Sequence, residues 1–326
     1  MRKFIGKTIS FITYLIIPIV IIFAGSFIII NNGKYWKLPK KTDYIVLGHS
    51  HPECAFNDSQ ISGLVNLGKS GESYFYTYLK ANKIIPNNKT LKAVFIEFGN
   101  SNIEKNMDSW IWDNEHIQQN FPRFFSLLDY SDFKLLMENN SKSILNCPPS
   151  RYIKEIGYTY LSSLIIKKNF LSNTRFGGYN YLDYSKIDSL INNKVPNNKN
   201  NEINKKDISE TNLKYLQKIV ELCNENGIKV FLIRSPLHTK YLAEFHEEEF
   251  KRVQNSYFQN IEFLDLASFP LQNNEYADLE HLNYKGAHKF SIWFNQILRN
   301  NLLEDIEEQL IIHKTIQAST HNNTLN

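Results

Sequence analysis

The sequence predicts an α/β fold built on a parallel sheet, with a helical insertion in its middle third and an apolar helix at its N-terminus. Three observations carry this. Short apolar runs, "DYIVL", "LKAVFIEFG", "IKVFLIRSP" and "IEFLDLA", read as buried strands. Stretches with apolar residues at helical spacing alternate with them, and that alternation favours a parallel sheet. Finally, "TISFITYLIIPIVIIFAGSFIII", Thr8 to Ile30, holds no charge and is long enough to cross a hydrocarbon core of about 30 Å.

The N-terminal run reads as an uncleaved anchor. Ala24 and Ser26 offer small residues for signal cleavage, but Phe27, Ile28, Ile29 and Ile30 carry the apolar run past them. A signal h-region is usually only about 7–15 residues. Arg2, Lys3 and Lys7 before the span nearly balance Lys34, Lys37, Lys40 and Lys41 after it, so charge leaves orientation open. Stub, span and polar connector occupy 1–41, and the main α/β domain occupies 42–302.

Within that domain Asp43–Leu47 is the first strand and "GLVNLG" from Gly63 the second. "SYFYTYLKANKII" places Phe75, Tyr78, Leu79 and Ile84 at helical spacing, and the strand from Leu91 follows. The insertion, about 103–206, is aromatic-rich and helical in spacing; Trp110, Trp112, Phe121, Phe124 and Phe125 read as its core. "NNKVPNNKNNEINKK", Asn192 to Lys206, reads as a polar linker. The α/β pattern returns with "ETNLKYLQKIVELCNENG", an amphipathic helix closed by Gly227. Strands from Ile228 and Ile261 come next. Asn283 then caps "YKGAHKFSIWFNQIL", whose Ala287, Phe290, Phe294 and Ile297 share a face. The tail, 303–326, is polar.

Composition excludes several classes. With 42% hydrophobic and 21% charged residues the chain can bury a full core. A net charge of +4 with scattered lysines gives no basic stripe for nucleic acid. Cys54, Cys147 and Cys223 cannot all pair, and no CxxC or Cys/His spacing indicates structural zinc.

The densest cluster of reactive side chains follows the first strand, in "DYIVLGHSHPECAFND". It can be a nucleophile turn, a metal site or a polar loop. Ligands of open parallel sheets bind beyond the carboxyl ends of the strands, where Ser50 lies, and Gly48 permits a sharp turn there. A serine acts as a nucleophile only when a base takes its proton. "YADLEHLNYKGAHKF" supplies Asp278 and His281 in Asp-x-x-His spacing, so His281 can accept the proton and Asp278 can orient the imidazole.

Together these blocks resemble the SGNH/GDSL hydrolase superfamily over roughly 43–102 and 228–298. The first block of that superfamily is Gly-Asp-Ser after a strand; here His49 stands in the middle. "NLGKSGES" is similar to the second block and puts its oxyanion-binding amide at Gly71. The third block is Gly-x-Asn; here "IEFGNSN" aligns Ser101 with the asparagine, and Asn100 or Asn102 serves with a one-residue shift. The last block is Asp278-Leu279-Glu280-His281. The resemblance implies a three-layer α/β/α sandwich, Ser50 as nucleophile, and oxyanion donors at Ser50, Gly71 and a nearby asparagine. It also implies an ester substrate such as an acylated carbohydrate, and no cofactor. Membrane-tethered relatives act outside the cytoplasmic membrane on envelope polysaccharides, which implies a single-pass protein with its main domain extracytoplasmic, periplasmic or at the cell surface. The altered blocks keep a different class in view: a non-catalytic SGNH-like scaffold in an envelope or polysaccharide-assembly complex.

The metal reading of "GHSH" pairs His49 with His51 and adds Asp278 and His281. It is set aside because phosphoesterase-like companions are missing and alternating residues along a strand point apart. His51 and Glu53 are expected to line the pocket mouth. Arg234, His238 and Tyr241 follow a strand on the same edge and are candidate substrate-binding residues, His238 foremost.

Overall fold

The computed structural model describes residues 2–165, 170–192, 208–242 and 247–300. Beyond its first residue, the expected linker over 192–206 lies outside the described residues, as does the tail from 303. In chain order the regular elements are α1 (Arg2–Asn31), β1 (Tyr44–Leu47), α2 (Ser50–Ala55), β2 (Leu64–Asn66), α3 (Tyr74–Asn87) and β3 (Ala93–Glu97). Next come α4 (Asn100–Ile103), α5 (Ser109–Trp112), α6 (Asn114–Phe124), α7 (Tyr130–Leu145), α8 (Pro149–Tyr160) and α9 (Ile187–Asn192). The last are α10 (Glu210–Glu225), β4 (Lys229–Arg234), α11 (Thr239–Leu242), α12 (Glu247–Phe258), β5 (Glu262–Asp265) and α13 (Tyr284–Arg299). The chain divides into two compact units, Leu38–Ile111 with Phe176–Asn326, and Met1–Lys37 with Trp112–Arg175.

The first unit is the expected three-layer α/β/α sandwich. Its five strands are all parallel, in the order β2-β1-β3-β4-β5. Strand residues are almost wholly buried, as parallel strands covered by helices on both faces must be. On one face Val46, Phe95, Phe231, Ile233 and Leu264 pack with Phe290, Phe294, Ala287 and Ile297 of α13. These are the apolar residues whose spacing predicts one helix face. Side chains alternate along a strand, so Ile45, Val94, Ile96 and Leu232 are buried on the opposite side, the side of the paired helices α3 and α10. Helix α10 ends at Glu225 with Asn226 as its C-cap, and Gly227 follows at φ 69°, a conformation that favours glycine.

Two elements depart from expectation. The stretch after β1 is a six-residue helix. The charged segment before β5 forms α12, whose Phe250 stacks near Phe98, with ring centroids 5.0 Å apart.

In the second unit, the Tyr160 hydroxyl of α8 donates to the Ile22 carbonyl of α1 at 2.8 Å. The Trp36 indole N–H donates to the Ile30 carbonyl at 2.6 Å, and its ring lies 4.9 Å from that of Phe170. Phe121 and Phe124 are buried, whereas Phe125 is largely exposed. The aromatic set is therefore only partly a cap core, and Trp110 belongs to the sandwich. From Phe4 to Asn31 helix α1 is long and apolar enough to cross a membrane, a property that a single-pass anchor shares with a signal sequence.

Candidate active site

The strand order reverses between β1 and β3, and in sheets of this order ligands bind beyond the carboxyl ends at that switch point. Gly48 leaves β1 there at φ 143°, and a Cβ on it would meet Glu97 Cβ at 2.6 Å and Pro52 Cγ at 3.0 Å. Only glycine lets the chain pass so close to β3 and turn into α2. Ser50 thereby becomes the first residue of α2, a half-buried position whose backbone N–H has no acceptor within the helix.

The neighbouring loop is stitched to this turn. Asn66 Nδ2 donates to the Pro52 and Phe56 carbonyls at 2.8 and 2.7 Å, and its Oδ1 accepts the Gly68 N–H at 2.8 Å. Glu53 accepts from Lys69 Nζ at 3.0 Å and from the Ser70 N–H at 2.9 Å. Glu53 is buried and fastens the loop that carries Gly71; it does not line a pocket mouth. Gly71 itself sits at φ 75°.

The Asp-x-x-His segment folds back on itself. Asp278 Oδ1 accepts the backbone N–H groups of Glu280 and His281, each at 2.9 Å. The Ala277 N–H donates to the His281 carbonyl at 2.8 Å, and Tyr276 and Leu282 form an antiparallel bridge. This tight turn puts His281 Nδ1 2.9 and 3.1 Å from the two Asp278 oxygens. The other ring nitrogen, Nε2, lies 2.8 Å from Ser50 Oγ. Residues 231 positions apart in sequence thus form one line. The consistent tautomer has Nδ1–H donating to Asp278 and Nε2 accepting the Ser50 hydroxyl proton. Burial raises the pKa of Asp278, but the His281 hydrogen bond and charge, with the two backbone N–H groups, outweigh it and leave it lowered. Nearby Cys54 is no competing nucleophile, since burial pushes its thiol up to about 12.

The remaining predicted residues divide. Asn102 Oδ1 accepts the Gly99 N–H at 2.8 Å, which closes the turn after β3. Asn100 Oδ1 accepts from Arg234 at 2.9 Å, while its buried Nδ2 has no hydrogen-bond partner. His238 has both ring nitrogens engaged, by Asn273 Oδ1 at 3.1 Å and by the Lys240 N–H at 3.2 Å. Arg234 is buried and paired with Asp265 and Glu247, so it ties β4 to β5 and α12. Tyr241 donates to Glu280 at 3.0 Å.

His49 and His51 do not point apart. The chain leaves the strand at Gly48, and their rings lie 4.3 Å apart, edge to face. With Glu97 they bring three potential ligand atoms within 4.8 Å of one another. Glu97 already accepts the Ser235 N–H at 3.1 Å and the Ser235 hydroxyl at 2.5 Å. His51 Nδ1 faces Glu97 at 3.5 Å, and His49 Nδ1 accepts the His51 N–H at 3.4 Å. The ring of His51 is spent on charge pairs, with its Nε2 3.5 Å from Glu280. Burial lowers the pKa of His51, but Glu280 and Glu97 more than offset it and raise it to about 9. Burial, with the charges of His51 and His281, holds His49 well below the usual range; Asn102 counters part of this without a hydrogen bond of normal geometry at Nε2. Glu97 and Glu280 were not singled out by sequence reading. A signal for Glu97 existed: it is a carboxylate ending an otherwise apolar strand.

A protein-family model without a descriptive name matches residues 163–303. No curated protein matches the chain. Among solved structures, a protein named for platelet activating factor from Streptococcus pneumonia is 11% identical, covering 79% of this chain and 84% of its own at a TM-score of 0.37. A GDSL-like lipase from Bacteroides thetaiotaomicron is 9% identical, covering 82% and 90% at 0.33. A protein named as an acylhydrolase from Bacteroides fragilis is 12% identical, covering 88% and 94% at 0.32. The fold assignment rests on the chain's own sheet order rather than on likenesses this distant.

Proposed function

We propose that this chain is a membrane-anchored serine esterase or O-acyltransferase of SGNH type, acting on acyl groups of an envelope or exported polysaccharide. One observation carries the reading: Ser50 Oγ, the His281 ring and the Asp278 carboxylate stand in line, at 2.8 Å on one side of the imidazole and 2.9 Å on the other. A non-catalytic scaffold has no need of that contact.

Ser50 Oγ attacks the ester carbonyl carbon as His281 Nε2 takes its proton. Asp278 stays ionised and stabilises the imidazolium. The oxyanion is met by the Ser50 N–H, with the Gly71 amide and the Asn100 or Asn102 side-chain amide as further donors. His281 returns the proton to the leaving alkoxide, and an acyl group remains on Ser50. Water then releases a carboxylic acid, or a sugar hydroxyl takes the acyl group, each giving its proton to His281, which passes it to Ser50 Oγ as the acyl–oxygen bond breaks. No step needs a metal or cofactor.

The anchor reading draws on α1. Its last turns are packed at Ser26 and Ile30, which supports a retained segment over a cleaved leader.

Fluorophosphonate labelling of the full chain tests the chemistry. The expected result is one adduct, on Ser50, absent in Ser50→Ala, together with slow hydrolysis of p-nitrophenyl acetate that both Ser50→Ala and His281→Ala remove. Equal turnover by wild type and both variants would discard the reading.

A further inference from the structure

Beneath the Ser50–His281–Asp278 line runs a second one that the proposed reaction leaves unused. Glu97, at the end of β3, is fully buried and anchored by the Ser235 N–H and hydroxyl at the end of β4. His51 follows Ser50 in α2, and its ring lies 3.5 Å from Glu97 on one side and 3.5 Å from Glu280 on the other. Glu280 immediately precedes His281 and accepts from the Tyr241 hydroxyl at 3.0 Å. The His51 and His281 rings stand edge to face, with centroids 5.5 Å apart. The line therefore touches the strand ends, the nucleophile turn and the loop that supplies the base.

We propose that Glu97–His51–Glu280 is a carboxylate–histidine–carboxylate clasp, buried at Glu97 and His51 and partly exposed at Glu280, that holds the Ser50 turn against the His281 loop, making His51 and Glu280 positioning residues for acyl transfer. The proposal rests on the reading of Ser50 as nucleophile. Neither residue need touch the substrate. Their role is to keep the 2.8 Å Ser50–His281 contact, which comes from elements far apart in sequence; small displacements of reacting groups cost large factors in rate. The titratable groups facing His51 are Glu97 from β3, Glu280 and His281 from the loop before α13, and His49 from its own turn. Two carboxylates against one cation account for the direction of its titration. The arrangement also explains why Glu280 is lowered, first by its hydrogen bond to His51.

The test uses the full chain in detergent micelles with histidine-selective 15N labelling, beside His51→Gln, Glu280→Gln and the double variant. In wild type one histidine should keep both ring nitrogens protonated at pH 8. That signal should vanish in His51→Gln and titrate at lower pH in Glu280→Gln. Each single variant should lower kcat about 10- to 100-fold with KM changed less than about three-fold. The double variant should be little worse than either single, because one clasp is broken only once. The His281 Nε2 signal should shift in His51→Gln as its bond to Ser50 loosens.

A neutral His51 ring at pH 8 overturns the proposal, and so does a kcat within two-fold of wild type in His51→Gln. About one zinc per chain that is lost in His51→Gln overturns it as well, because a coordinating nitrogen cannot be protonated. If wild type neither labels nor turns over ester, the nucleophile reading has failed; the clasp is then judged on the His51 and His281 ring signals alone.

Discussion

Among the residues, two histidines share one edge of the sheet. In the proposed reaction His281 gains and loses a proton in each half-reaction, whereas in the proposed clasp His51 holds one. Asp278→Asn should keep the turn but favour the wrong imidazole tautomer, lowering kcat by about 10³–10⁴-fold with little change in melting temperature. Steady-state kinetics beside a thermal melt checks this. His51 also makes stability depend on pH. Its folded pKa, about 9, lies above the ordinary imidazole value of 6.5, so its contribution is complete below about 6.5 and is lost as pH rises through 9. Glu280 is lowered, so its share is present above its ordinary range and is lost as pH falls. Between pH 7 and 10 wild type should therefore lose on the order of 2 kcal/mol more than His51→Gln. Urea unfolding at both pH values measures the difference, and equal losses would remove the assigned charge from His51.

At the scale of elements, the site depends on how β1 ends. Gly48 combines positive φ with a 2.6 Å approach of its missing Cβ to Glu97. Gly48→Ala should cost roughly 2–5 kcal/mol from strain and overpacking together, seen as a lower denaturant midpoint at unchanged slope. This turn also marks what the sequence could convey. Strands β1, β3, β4 and β5 and helices α3, α10 and α13 were legible because burial imposes their periodicity and because caps such as Asn283 are local. Ser50, Asp278 and His281 were legible as spaced blocks. Helix α2 was not: it is one short turn dictated by Gly48 and by Asn66 reaching the Pro52 and Phe56 carbonyls. The closeness of His49 and His51 overturns the expectation that they point apart for the same reason, since alternation ceases where the strand ends. Helix α12 was missed because its opening Glu247, Glu248 and Glu249 mask a sparse apolar face of Phe250, Val253 and Phe258. His238 and Arg234 read as candidate substrate-binding residues in sequence because their partners, Asn273, Asp265 and Glu247, come from elsewhere in the chain.

Helix α1 decides how the whole chain meets a membrane in the proposed function. From Phe4 through Phe23 it presents a long series of exposed large apolar side chains, among them Phe4, Phe11, Tyr14, Ile19 and Ile21. A helix inside a soluble core would bury them. Its 28 residues from Phe4 to Asn31, at about 1.5 Å each, exceed a hydrocarbon core of about 30 Å. The excess is accounted for at the C-terminal end, where Ser26 and Ile30 are buried and the Tyr160 hydroxyl and Trp36 indole bond to the Ile22 and Ile30 carbonyls. A leader cleaved near Ala24 to Ser26 would break the first of these contacts and leave the second on a frayed end. We therefore expect the full chain to stay in the membrane pellet after carbonate extraction, with an intact mass that includes residues 2–30. Removing residues 2–21 should release a folded soluble protein, because the packed turns remain. Removing 2–31 should lower the melting temperature of the helical unit by several degrees. If the domain faces outward, protease added to spheroplasts should digest it while cytoplasmic proteins survive. Carbonate-soluble full-length protein would refute the anchor, and a domain protected in intact spheroplasts would refute the extracytoplasmic placement and the envelope-polysaccharide substrate with it.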